Sequence, residues 1–487
     1  MTVLDADLTV LPNPGLLIGD GRVSDSSEGE FTHVYAATGK PTRGVSMAGA
    51  GEVDAAVRAA RAALPGWRAT PLDRRRDLLL EAARLIRREA ATIAQLTTID
   101  NGTPSMIAAS TPLLAADLFT YNAGWADKIG GEVVGTWPVP ALDYTLDEPY
   151  GVVGVIVPWN GPVISVGQIV APALAAGNCV VLKPSELAPW GCLRIGELLL
   201  EAGFPPGVIN VVPGGPAGGE ALVSHPDVDK IHFTGGGQTA KRILASALET
   251  LKPVGLELGG KSANLVFEDA DLVAAAQQAM TGAVLLSGQG CILGTRILVQ
   301  RSIHDAFLAT LAAILGQIPV GDPSAATSVM GPVVSEGAAD RILGMVATAQ
   351  KEGNRLVTGG ERLGGDLADG WFIGPTVLAD VAPTDFIAQN EVFGPVLAVT
   401  PFDTEADAVA IANATPYGLA AYVQTDDLRR AHRVCAALEA GNIWVNGFLG
   451  IPPGAPFGGV KQSGQGRLGG IHAIREFTRP KNVWMAL

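Results

Sequence analysis

Between residues 151 and 267 the hydrophobic positions fall into two alternating patterns. Short apolar, β-branched runs at 152–157, 180–183, 208–212, 230–234 and 254–258 read as strands. Between them, Ala- and Leu-rich segments near 162–176, 189–203, 216–224 and 237–250 often open after Pro or Gly, as helices do. Strand–helix alternation of this kind predicts a parallel sheet covered by helices, with ligands bound beyond the carboxyl ends of its strands. Upstream, the pattern is helical at 53–64, at 72–98 and at about 104–127. Downstream, a second α/β region is predicted, with helices near 302–316, 336–352 and 404–414 and strands near 295–299, 395–400 and 420–424. The two α/β lobes are expected to meet near residue 291. Segment 130–149, rich in Gly, Pro and Thr, reads as extended chain able to pair with another subunit.

Composition narrows the function classes. A chain of 487 residues exceeds a single core and predicts two or three domains. Its net charge of −14, with no basic stripe, opposes phosphate backbones and excludes a nucleic-acid role. The longest apolar runs, such as 152–159, fall far short of the roughly 20 residues that span a bilayer. Residues 1–7 hold two aspartates and no basic segment leading into an apolar run, so no export signal is expected. Few cysteines at irregular spacing predict free thiols in a reducing cytoplasm. Six scattered histidines lack ligand spacing, and no metal site is expected.

One cysteine stands apart. Cys179, Cys192 and Cys435 sit in apolar or helical surroundings and read as packing residues, whereas Cys291 lies in Ser287-Gly-Gln-Gly-Cys291, where small neighbours leave room for attack on a substrate. Glu257, in Leu256-Glu-Leu-Gly-Gly-Lys-Ser262, is a carboxylate suited to draw a proton from thiol or water. Two other motifs mislead. Gly255 to Ser262 matches the phosphate-loop pattern, but 263–267 reads as a strand and not as the helix that would hold phosphate. Gly464-Gln-Gly-Arg-Leu-Gly469 fits the dinucleotide fingerprint without an apolar strand before it.

Pro158-Trp-Asn160, Leu182-Lys-Pro-Ser-Glu186, Phe233-Thr-Gly-Gly236, the Glu257 and Cys291 segments, Glu391-Val-Phe-Gly-Pro395 and Pro456-Phe-Gly-Gly459 occur in that order along the chain. Together they closely resemble the NAD(P)-dependent aldehyde dehydrogenase superfamily, in its non-acylating branch. The resemblance implies an α/β fold with a Rossmann-type cofactor domain (1–129 and 150–258), an α/β catalytic domain (259–455) and a small β oligomerisation segment (130–149 and 478–487). It implies a homo-oligomer, a dimer or tetramer. Cys291 is then the nucleophile, and Asn160 with the Cys291 backbone N–H forms the oxyanion hole. Glu257 is the base that hydrolyses the thioester, which favours an acid product over an acyl-CoA. The cofactor falls to Trp159, Lys183, Ser185, Glu186, Phe233, Thr234, Gly235, Gly236, Leu258, Gly259, Glu391 and Phe393. A carboxylate at Glu186 favours NAD, and the nearby Lys183 leaves NADP open. The alternatives are a CoA-acylating enzyme and a catalytically silent binding protein on the same fold.

This chain also departs from the family pattern. Gly236 and Ala240 stand where serine and glycine are usual, so phosphate contact is expected through backbone N–H groups. Gly161 replaces a bulky aromatic. The substrate-pocket positions, Gly161, Ser165, Gln168, Leu285, Gly290, Ile292, Phe448 and Ile451, include no arginine. A charged aldehyde would be desolvated there without a partner, so medium or bulky apolar aldehydes (aliphatic, aromatic or terpenoid) are expected. A lysine–glutamate pair linked in many relatives to the proton path of the base is replaced by Ile169 and Leu468. Glu257 is therefore expected to pass its proton through water or backbone carbonyls, with a pKa raised by burial.

Overall fold

The computed structural model describes residues 7–448 and 450–487. Residues 1–6, on which much of the export-signal expectation rests, lie outside the described residues. Two large sheets dominate. The first sets Gly464–Gln465, Val254–Leu258, Lys230–Gly235, Val152–Ile156, Cys179–Lys183, Ile209–Val211, Leu16–Ile18 and Gly21–Val23 side by side. The strands from Val254–Leu258 to Ile209–Val211 are parallel, and antiparallel strands close both edges. Every residue of Val152–Ile156, Cys179–Lys183 and Val254–Leu258 is buried, which is why these strands read as apolar runs. Chain order reverses between Val152–Ile156 and Lys230–Gly235, and a crevice at such a point is where open α/β sheets bind ligands.

The second sheet runs Arg355–Thr358, Thr376–Ala379, Val396–Phe402, Arg296–Gln300, Ala263–Val266, Ala420–Gln424 and Asn442–Val445. Only its first strand is antiparallel. Residues 263–266 form the strand expected of them, so the phosphate-loop match has no helix after it. Strand Val254–Leu258 of the first sheet thus passes into strand Ala263–Val266 of the second through only Gly259–Ser262.

Several elements differ from the sequence pattern. The single helix expected at 72–98 is two, Leu72–Arg88 and Ala90–Asn101, which meet at Glu89. The Glu89 carboxylate there bonds Arg88 and pairs with Arg194 of helix Trp190–Glu201. The helix expected at 162–176 contains a π turn, Val166–Val170, where Gly167 packs closely on Ala115. The hairpin Glu30–Tyr35 and Lys40–Ser46 was not expected, because its mixed burial breaks the apolar run. A third sheet pairs Thr478–Ala486 with Ala141–Pro149 over nine residue pairs and adds the short Val133–Val134. No helix among the described residues is long and apolar enough to cross a membrane.

Fully buried Asn178 ties the first sheet to the C-terminal segment. Its Oδ1 accepts from the Gly151 N–H at 3.0 Å, and its Nδ2 donates to the Ala173 and Phe477 carbonyls at 3.0 and 2.9 Å. A net contribution of about 1 kcal/mol per bond makes Asn178→Ala cost about 3 kcal/mol, because the orphaned groups stay buried. Thermal unfolding is expected to show a clear fall in Tm, and an unchanged Tm would contradict this role.

Candidate active site

Glu257 pairs with Thr234 on one side and Gly464 on the other. Its side chain is buried, and Oε2 has no hydrogen-bond partner among the described residues. Burial pushes its pKa well above the usual carboxylate range, with Arg467 opposing and Glu476 reinforcing the shift. Beyond Glu257 the link runs against the cysteine loop. A Cβ on Gly260 would stand 2.8 Å from the Cys291 carbonyl oxygen, so the link can lie against the cysteine only without a side chain.

Cys291 itself follows helix Leu272–Val284 and a tight turn in which Leu286, Ser287 and Gly288 all have positive φ. For Leu286 and Ser287 this conformation costs on the order of 1–3 kcal/mol each. The turn is held in place from outside. Ser287 Oγ donates to the Gly331 carbonyl at 2.8 Å. Gln289 accepts from the Val334 N–H at 2.9 Å and donates through Nε2 to the Leu286 carbonyl at 3.0 Å. A Cβ on Gly288 would overlap the Gly394 carbonyl. The Cys291 side chain is half-buried, and its thiol is pushed up to about 12 by burial and by the negative fields of Glu391 and Glu257. Cys179 and Cys192 are buried in the core, and Cys435 is half-buried.

Asn160 reaches this loop from the end of strand Val152–Ile156: its Nδ2 donates to the Gln289 carbonyl at 2.8 Å. It does not cap the helix that begins at Pro162. Asn101 Nδ2 in turn donates to the carbonyls of Trp159 and Asn160, at 2.9 and 3.4 Å. The Trp159 ring stands edge-on to Phe393, 5.4 Å between centroids. Glu391 Oε1 accepts from the Gly260 N–H at 3.0 Å, and its Oε2 occupies the space a Cβ on Gly259 would need. Burial raises Glu391 to about 7 against that bond and the fields of Lys261 and Arg341. The nucleophile candidate, the base candidate, Asn160 and Glu391 are thus drawn together around one link and one loop.

At the neighbouring strand ends, Thr234 pairs with Glu257 and Gly235 with Leu258, while Phe233 is buried. Gly236 and Gly237 open the helix Gly237–Ala247, and a Cβ on either would meet nothing. This exposed start leaves backbone N–H groups free for an anion. Ser185 Oγ donates to Glu186 Oε2 at 3.3 Å, and Glu186 is partly exposed. Lys183, expected at the cofactor, is buried. Its Nζ donates to the Pro184 carbonyl at 3.2 Å and to the Gly214 carbonyl, and burial lowers it to about 8 against the field of Glu186.

Of the substrate-pocket positions, Ile292 and Ile451 pack with Cys291 against the main core. Leu285, Gly290 and Gln168 are partly exposed, Ser165 is buried, and Gly161 faces open space. Phe448 stacks on Tyr422, which stacks on Trp444, with centroid separations of 5.3 and 5.1 Å. Tyr422 also donates to the Ile292 carbonyl at 3.0 Å. Asn101, Gln289, Tyr422 and Lys261 were not foreseen as site residues. Lys261 lies fully buried with no hydrogen-bond partner at Nζ among the described residues, pushed down to about 7 by burial and Arg296 against the field of Glu391. Its only sequence signal was the misleading phosphate-loop pattern. No cluster of metal-ligating side chains occurs among the described residues.

Comparison with known proteins agrees with this geometry. The family pattern described as "Aldehyde dehydrogenase family" matches residues 23–483. The chain is 43% identical over 464 residues to an aldehyde dehydrogenase of Emericella nidulans, covering 95% of this chain and 90% of that protein. It is 42% identical over 472 residues to a betaine aldehyde dehydrogenase of Cereibacter sphaeroides, covering 96% of each. The crystal structure of a Staphylococcus aureus betaine aldehyde dehydrogenase in complex with NAD+ superposes with a TM-score of 0.95 at 35% identity, covering 97% of this chain and 94% of that one. With a buried carboxylate and a glycine-flanked thiol placed at the joint of two α/β sheets, and with these matches along nearly its whole length, the chain belongs to the aldehyde dehydrogenase family.

Proposed function

We propose that this protein oxidises an aldehyde to a carboxylic acid with NAD through a thioester on Cys291. The observation that carries the reading is the pairing of a half-buried, glycine-flanked thiol with a buried carboxylate whose Oε2 has no hydrogen-bond partner among the described residues. Cys291 Sγ adds to the aldehyde carbon as its proton passes to a water molecule. Asn160 spends one amide hydrogen on the Gln289 carbonyl and keeps the other for the developing oxyanion, beside the Cys291 N–H. Collapse of the thiohemiacetal expels hydride and leaves the thioester. Glu257 then takes a proton from water as the water oxygen attacks the thioester carbon, the C–S bond breaks, and the acid departs.

The residues present fit a dinucleotide: an unobstructed helix start at Gly236 and Gly237 suits its phosphates, and the partly exposed Glu186 suits ribose hydroxyls. When bound, the nicotinamide supplies the hydride acceptor. Glu391 and Phe393 would hold its ribose, with Trp159 edge-on beside Phe393. Lys183, engaged with backbone carbonyls, offers little to a 2′-phosphate, which favours NAD over NADP.

Cys291→Ala is expected to abolish NADH formation, while Glu257→Gln is expected to form the acyl-enzyme and hydrolyse it slowly. Because burial raises the Glu257 pKa, its basic form is lost as pH falls through that raised value. Deacylation followed against pH should show its midpoint well above about 4.3, the ordinary glutamate value; a midpoint there would refute the assignment.

Open space at Gly161 and the absence of arginine among the pocket positions favour medium or bulky apolar aldehydes. A second reading rests on the stack of Trp444, Tyr422 and Phe448, whose ring faces suit a quaternary ammonium group. A panel of octanal, benzaldehyde, betaine aldehyde and succinic semialdehyde separates the two. Highest kcat/KM for octanal or benzaldehyde supports the first reading, highest for betaine aldehyde the second, and highest for succinic semialdehyde rejects both.

The third sheet exposes Val133 and Trp484, and the loop between its strands exposes Trp137, 91% exposed; a second copy of this chain is the occupant proposed for that surface. Light scattering should give an oligomer for the wild type and a smaller species for Trp137→Ser combined with Trp484→Ser. Equal masses would reject this surface as the interface.

A further inference from the structure

A row of buried charged and titratable groups leads away from Glu257. Residues two apart on a strand share a face, so Gly255 lies beside Glu257 on the same side of strand Val254–Leu258. Gly255 has no side chain, and the space is filled by the Glu476 carboxylate, with Oε1 where a Cβ on Gly255 would stand. Gly466 makes room from the opposite direction: a Cβ there would be 2.7 Å from Glu476 Oε2. Two glycines from different segments therefore admit one carboxylate next to the base.

Glu476 ends the helix Gly470–Glu476, and Lys230 Nζ holds its Oε1 at 2.8 Å, with both side chains largely buried. On strand Lys230–Gly235, His232 pairs with Gly255 and lies against the same space. Its Nδ1 has no hydrogen-bond partner among the described residues. Lys230 Nζ also sits 5.0 Å from the centre of the partly exposed Tyr150 ring, with Arg479 over the same ring at 5.9 Å. On the other flank of Glu257, Arg467 donates to the carbonyls of Gly459 and Gly466. A buried ion pair is weak evidence for stability, since an apolar pair of equal volume usually serves as well. Ile169 and Leu468, both buried and apolar, offer no acceptor for the proton of Glu257.

We infer that Glu476, positioned by Lys230, receives the proton that Glu257 takes up during thioester hydrolysis, an inference that rests on the function proposed above. The attacking water gives one proton to Glu257. Glu257 passes a proton to an intervening water, which gives one of its own to the Glu476 carboxylate, so Glu257 returns to its carboxylate form and no electrons move. Glu476, whose side chain is 12% exposed, releases the proton to solvent. It touches no reacting atom and acts through Glu257.

The test is single-turnover mixing of the full-length enzyme with NAD and an aldehyde, with intact-protein mass following the adduct on Cys291. In Glu476→Gln, adduct formation is expected at the wild-type rate and adduct decay about tenfold slower, with Glu476→Asp partly restored. Where Glu476→Gln leaves Lys230 too costly to bury, Lys230→Met with Glu476→Gln removes both charges and is expected to show the same split at an unchanged Tm. A folded double variant that decays at the wild-type rate overturns the relay. Equal slowing of formation and decay also overturns it, because a merely structural role acts on both. Absence of any adduct in the wild type and in Glu257→Gln rejects instead the thioester function beneath it.

Discussion

Four residues, Gly259–Ser262, carry the chain from the last long strand of one sheet to a central strand of the other, and the rest of the site depends on how tightly they are held. The link has no slack. Arg296 bonds its far end, with its backbone N–H on the Ser262 carbonyl at 3.2 Å and its Nε on the Lys261 carbonyl at 3.3 Å. The remaining Arg296 nitrogens donate to the carbonyls of Ile411 and Ala412, each at 2.6 Å. Glu391 bonds the near end, and the cysteine loop lies on Gly260. A short tether between two rigid sheets fixes groups that are distant in sequence with little residual freedom, which is what a reaction needing defined geometry requires.

Holding these groups out of water has an electrostatic cost. The Cys291 thiol, Glu257 and Glu391 are all pushed toward their neutral forms, and two of them oppose ionisation of the third. Such a cluster favours the neutral thiol at Cys291. Lys261 is pushed the opposite way by the same burial, and its field opposes the rise at Glu391. Perturbation of this kind is concentrated where chemistry happens.

The parallel strands were legible because both faces are covered, so that 152–156, 179–183 and 254–258 appear as mainly apolar runs, interrupted by charge only at Lys183 and Glu257. The hairpin Glu30–Tyr35 with Lys40–Ser46 was hidden by its half-exposed faces, and the edge strand Gly464–Gln465 by a glycine motif that resembled something else. In the site, Cys291, Glu257 and Asn160 were visible as motifs. Residues that hold them were not, because their work depends on partners far along the chain: Asn101 on Trp159, Gln289 on Val334, Tyr422 on Ile292. Glu476 is the extreme case, since only the empty face of Gly255 reveals what it is doing there.

Gly161 has the opposite character to the glycines of the link. Its backbone is not left-handed, with φ at −155°, and a Cβ there would touch nothing. A methyl group can be added at this position without meeting any neighbouring atom. The position is therefore open on its outer side, whereas Gly259 and Gly260 of the link are each pressed against a neighbour, Glu391 and Cys291.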